Sequence, residues 1–273
     1  MTTVEEKSRD LSLKHFLKEA FVAVTDVDSA FIATFRWLVT RPGALTVEYL
    51  KGDRARFMAP FRLFLLCNVI YFVVVAEYGV GVFTAPLSVQ TSRMGYRAVT
   101  QMIVAKRLGQ EAPAMTLEEG ARRDSVRRMF AVKYDGTTEA VGKAIIVVLI
   151  PLYALVLQLL YAGRGRFYAE HLVFSTHLVA FLMLTVAALG ALAGGVGGMM
   201  HRLSLTRGGD DELLYSVILI VAFSTYVYQA QRVAYGASAR GAVVRMMVLA
   251  FSSIPMLIAF KFVLFLATLY WIK

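Results

Sequence analysis

An all-α, polytopic membrane fold of about five transmembrane helices is what this sequence predicts, and three observations predict it. Long apolar stretches recur near residues 61–83, 144–161, 172–196, 213–228 and 242–272. Most approach or exceed the ~20 residues a helix needs to cross a ~30 Å hydrocarbon core. The loops between them carry nearly all the charge. A 58% apolar content with a mean hydropathy of +0.61 also exceeds what a soluble domain of 273 residues normally carries.

The elements before the first span predict an interfacial segment over residues 1–59. Leu13, Phe16, Leu17, Ala20, Phe21 and Val24 recur at helical spacing opposite Lys14, Lys18 and Glu19, the pattern of an amphipathic surface helix. Asp28 or Ser29 caps a second helix over Ala30–Thr40, with Phe31, Phe35 and Leu38 as its apolar stripe. Arg41-Pro42-Gly43 then turns the chain into a third short helix over Leu45–Lys51, which contains Tyr49 and stops at Gly52. Arg54 and Arg56 lead to Pro60 at the mouth of the first span. Basic and aromatic residues in this mixture suit anchoring among anionic lipid headgroups.

Residues 60–273 form the predicted bundle, interrupted by an extramembrane insertion over 84–142. Helices are expected there over Met94–Leu108 and Met115–Lys133, with Thr116 and Glu119 as a capping box for the second. The third span runs into Gly190, Gly194 and Gly198 at i, i+4, i+8 steps, a ridge that lets another helix approach closely. Its neighbour is either a helix of the same bundle or a second membrane chain. The last stretch is 31 residues long and contains Pro255 as a possible division. If its crossing begins near Ile254, Lys261 lies deep and is a functional charge; if it begins at Ala242, Lys261 reaches the surface.

Charge sets the orientation and excludes some partners. A net charge of +10 comes without any groove-reading motif, so the basic residues point to membrane headgroups and not to nucleic acid. Lys and Arg number ten in residues 1–62 and recur at Arg164, Arg166, Arg232, Arg240 and Arg245, which predicts a cytoplasmic N-terminus and an external C-terminus. Met1–Asp10 is polar and no short apolar core follows, so the first span is expected to act as an uncleaved insertion signal. Cys67 is the single cysteine, and no intrachain disulfide can form.

The densest polar cluster is at the start of the third span, where Glu170, His171, Ser175 and His177 fall within eight residues. His171 and His177 are six apart, so on one helix they point about 120° apart with about 9 Å of rise between them. They cannot share a metal ion without a second helix, and no metal or other cofactor is expected. Tyr226, Tyr228, Gln229, Gln231, Arg232 and Tyr235 end the fourth span at the same depth and are suitable partners. The best expected pair is Glu170 with an arginine. Such a layer is either interhelical glue or the lining of a headgroup or proton site.

Two motifs carry a family resemblance. Arg41-Pro42-Gly43 with Tyr49, Gly52, Arg54, Pro60 and Phe61, and Tyr168, Glu170-His171-Leu172-Val173-Phe174, His177 and Phe181, resemble the bacterial membrane family known as domain of unknown function 3667. A looser similarity continues through Tyr228, Ala230 and Tyr235. The resemblance implies a multi-pass protein of the bacterial inner membrane. Family members often begin with a paired-CxxC zinc ribbon, which this chain lacks, having no cysteine before Cys67.

Three functions follow as expectations. The first is a non-catalytic accessory, scaffold or assembly subunit acting through helix packing, in a homo-oligomer or with another membrane protein. The second is a transporter for a small solute or lipid that uses the Glu170, His171, His177 layer or Lys261. The third is a lipid-modifying membrane enzyme.

Overall fold

A computed structural model of the chain describes residues 30–52, 56–78, 82–110, 116–194 and 210–272, with the side chains of 210–213 excepted. The amphipathic helix expected over Leu13–Val24, the Asp28 or Ser29 cap, Arg54, Gly198 and terminal Lys273 lie outside the described residues. Among the described residues every regular element is helical. Five helical segments are long and apolar enough to cross a membrane: Pro60–Tyr78, Leu117–Leu160, Tyr168–Leu192, Leu214–Tyr235 and Ala239–Trp271. The protein is therefore a multi-pass helical membrane protein.

Two short helices precede the first span: α1, Ala30–Thr40, and α2, Ala44–Lys51. Gly43 enters α2 at φ 83° and Gly52 leaves it at φ 96°, left-handed values that side-chain-bearing residues avoid. Next comes α3, Pro60–Tyr78, which ends five residues before the predicted boundary at 83. The chain turns back here, and the Phe83 N–H donates to the Tyr71 hydroxyl at 3.0 Å.

Beyond that turn lie α4, Leu87–Ser92, and α5, Arg97–Arg107, in place of one helix over 94–108. The larger departure is α6, Leu117–Ile145, which passes through a 3-10 turn at Ile146–Val148 into α7, Leu149–Leu160. The insertion's last helix and the second span are thus continuous, and the break expected before residue 144 is absent. Thr116 caps the helix by accepting the Glu119 N–H at 3.1 Å, and a Lys143–Glu139 pair at 2.8 Å supports the junction. Gly142, read in the sequence as the boundary, instead packs against the Phe83–Thr84 turn.

The bundle is completed by α8, Tyr168–Leu192, α9, Asp210–Tyr235, and α10, Ala239–Trp271. Apolar on all sides, α8 is the central helix, packed against α3, α7, α9 and α2. Pro255 lies within an uninterrupted α10, so the helix is not divided. At 33 residues α10 is about 50 Å long, more than one bilayer crossing requires.

The surplus length of α10 packs against the insertion. Leu87, Val104, Tyr134, Phe265, Leu269 and Ile272 form a second small core there, and Thr138 bonds Thr268 at 2.8 Å. Lys261 belongs to this end. Its carbonyl accepts the Gln90 amide of α4 at 3.1 Å, and the neighbouring Phe262 ring meets Tyr96 at 5.0 Å.

Candidate functional site

Two contacts with α2 and α9 define the polar layer at the start of α8. His177 is buried and its Nδ1 pairs with the Thr46 hydroxyl of α2 at 2.9 Å. His171, also buried, pairs through Nδ1 with the Tyr235 hydroxyl of α9 at 2.8 Å. The two histidines therefore serve different neighbours, as their helical phase requires. Among the described residues no three His, Cys, Asp or Glu side chains converge in a way that could hold a metal.

Around His171 the layer extends through aromatic rings. Tyr235 stacks on Tyr161, the residue that ends α7, with ring centroids 4.2 Å apart. The Tyr161 hydroxyl donates to the Gln231 side-chain amide oxygen, Oε1, at 2.8 Å, one turn before Tyr235 on α9. Three buried polar atoms in this group have no protein partner: His171 Nε2, Ser175 Oγ and Gln231 Nε2. Ser175 is one turn beyond His171 on the same face of α8. A buried polar atom without a hydrogen bond costs about 1–3 kcal/mol, and all three belong to the facing helices α8 and α9.

Arginines rim this layer. Arg245 of α10 lies 4.5 Å from the Tyr161 ring and donates to the Leu160 carbonyl at 3.3 Å. Arg164 lies 5.8 Å from the same ring, and Arg166 lies 5.9 Å from Tyr235. Glu170 accepts from Arg166 at 2.7 Å and from the Phe167 N–H at 3.3 Å, which caps the start of α8. The glutamate–arginine pair is present, but its partner is local rather than on another span. Three guanidiniums and one carboxylate leave the rim positive.

Tyr228, Gln229 and Arg232 do not join the layer. Gln231 and Tyr235 take their place, because Tyr228, on nearly the same face as Tyr235, lies about 10 Å further along α9, while Arg232 and Gln229 lie about 80° and 140° around it from that stripe. They line a separate groove of about 740 Å³ with Thr40, Arg41 and Pro42. Gly43 brings the corner against α9 next to that groove, since a Cβ there would lie 2.6 Å from the Ala230 carbonyl oxygen. Tyr49 is half-buried on α2, and Pro60 is buried as the first residue of α3.

The two described glycines of the ridge face inward. Gly190 is buried, and a Cβ on Gly194 would overlap the Tyr78 ring at the end of α3. A third feature is an apolar crevice of about 360 Å³ between α9 and α10, lined by Ile220, Phe223, Phe251, Ile254 and Leu257 among others. Its floor carries the Tyr153–Ser253 hydrogen bond at 3.0 Å. Sequence reasoning passed over Thr46 and Tyr161. Their only signal was a polar atom at a position otherwise fit for the core.

Residues 28–72 match the model of a family described as a protein of unknown function (DUF3667). The match covers the Arg41–Gly43 corner, α2 and the first part of α3; the polar layer of α8 lies outside it. No curated protein matches the chain, and no solved structure matches it.

Proposed function

We propose that this protein is a membrane carrier for a lipid or small solute bearing an anionic group, received at the arginine-rimmed layer of His171, Ser175 and Gln231. The observation that carries the reading is the set of three buried polar atoms without protein partners. A layer acting only as glue would pair its own members, as His177 and Thr46 do. Here the amide nitrogen of Gln231 donates, the Ser175 hydroxyl donates or accepts, and the imidazole offers its free nitrogen. Arg164, Arg166 and Arg245 supply positive charge at the mouth. The crevice between α9 and α10 begins about 8 Å further along α10 from Arg245, at Ala250, and suits an apolar chain.

An accessory role through helix packing draws less support, because Gly190 and Gly194 already serve contacts inside the bundle. We place the layer on the cytoplasmic face of the bacterial inner membrane, following the excess of arginine at that end. Purified protein in proteoliposomes tests the carrier reading with two probes, fluorescently tagged phosphatidylglycerol moving between leaflets and labelled phosphate entering the lumen. Movement of at least one probe is expected, reduced tenfold or more in Ser175→Ala and His171→Gln at normal folded yield. Wild-type protein that moves neither probe sinks the proposal.

A further inference from the structure

We infer that the groove between the α1–α2 corner and the end of α9 is a phosphoryl-binding site, independent of the polar layer because His171, Ser175, Gln231 and Tyr235 do not line it. Arg41 stands on one wall and Arg232 on the other. The Arg41 guanidinium lies 4.5 Å from the Trp37 ring, and that of Arg232 lies 5.7 Å from the Tyr228 ring and donates to its hydroxyl at 3.4 Å. Stacking of this kind orients a guanidinium while leaving its charge available. Among the described residues neither arginine has a carboxylate partner, and no Asp or Glu lines the groove.

The groove is built rather than incidental. Gly43, at φ 83°, brings the backbone of the corner against Ala230, two residues before Arg232, and Pro42 stiffens the turn next to Arg41. The backbones that carry the two arginines are therefore fixed by main-chain contact on opposite walls of a space of about 740 Å³. The Tyr228 hydroxyl and the Gln229 amide add neutral donors. Two arginines and two neutral donors without a competing carboxylate match the oxygens of a phosphate group, which arginine binds through paired N–H donors. The phosphate of a lipid headgroup and that of a soluble ester share this chemistry.

Trp37 supplies a reporter for the test. The chain has two tryptophans, and the other, Trp271, is 71% exposed at the far end of the bundle, so Trp271→Phe leaves Trp37 alone beside the groove. That full-length protein, purified in detergent, is titrated with inorganic phosphate, dioctanoyl phosphatidic acid and phosphate-free dioctanoylglycerol. A saturable change in Trp37 fluorescence is expected with phosphatidic acid and none with dioctanoylglycerol. A matching response to inorganic phosphate assigns the site to free phosphoryl groups; a response to phosphatidic acid alone assigns it to lipid headgroups. Arg41→Gln and Arg232→Gln should each weaken binding tenfold or more, whereas Arg93→Gln, on the exposed turn after α4, should leave it unchanged. If Arg41→Gln does not fold, Arg232→Gln at the exposed end of α9 carries the comparison. The inference is overturned by equal responses to dioctanoylglycerol and phosphatidic acid, by no saturable response to either phosphate probe, or by undiminished binding in the arginine variants.

Discussion

His171 and His177 share a helix, but their surroundings give substitutions opposite consequences. Thr46 pairs with His177 in a fully enclosed site, so Thr46→Val leaves a buried imidazole nitrogen without a partner. The expected loss is about 1–3 kcal/mol, read as a lower thermal midpoint in detergent. Ser175 is equally buried, but its hydroxyl has no protein partner to lose. Ser175→Ala should therefore be no less stable than wild type, with a gain of up to about 1–3 kcal/mol from removing the unpaired hydroxyl, while carriage falls tenfold or more. The reverse order, with Ser175→Ala the less stable variant, would show that the hydroxyl is part of the scaffold. The residue scale is also where the sequence was least legible. Thr46 carries no sign that it faces a histidine more than a hundred positions away, because that contact depends on how α2 docks on α8.

Among the elements, α2 depends most on its ends, and its two glycines separate conformation from contact. Gly52 is left-handed with open space around it, so Gly52→Ala should cost only the conformational penalty of about 1–2 kcal/mol. Gly43 has the same backbone hand and in addition meets the Ala230 backbone. Gly43→Ala should therefore cost distinctly more and loosen α2 from α9, seen as a larger drop in thermal midpoint. Equal losses in the two variants would remove the close contact from the argument. Hydropathy made the existence of the helices readable, since lipid demands long apolar runs. Their extent was less readable. A polar, glycine-containing segment before residue 144 resembles a loop, yet side-chain pairs and the Phe83 turn carry α6 straight into α7. The phase of α9 was also hidden, because Tyr228 and Tyr235 look alike in sequence and only packing decides which one meets His171.

For the whole molecule, the crossing that separates residue 93 from residue 164 makes a prediction that needs no knowledge of substrate. The Leu117–Leu160 span puts the α7–α8 loop with Arg164 at one end of the bundle and the turn after α4 with Arg93 at the other. Both side chains are exposed, and each can be replaced by cysteine with little effect on packing. The native background is silent, since Cys67 is the one cysteine and is 0% exposed within α3. In intact bacterial cells with a permeabilised outer membrane, a membrane-impermeant maleimide should label Arg93→Cys but not Arg164→Cys. Inverted inner-membrane vesicles should give the opposite pattern. Labelling of both from one side would break the five-span topology. A clean but reversed pattern would keep the topology and move the polar layer and the Arg41–Arg232 groove to the outer face, where an anionic group would have to arrive from outside the cell.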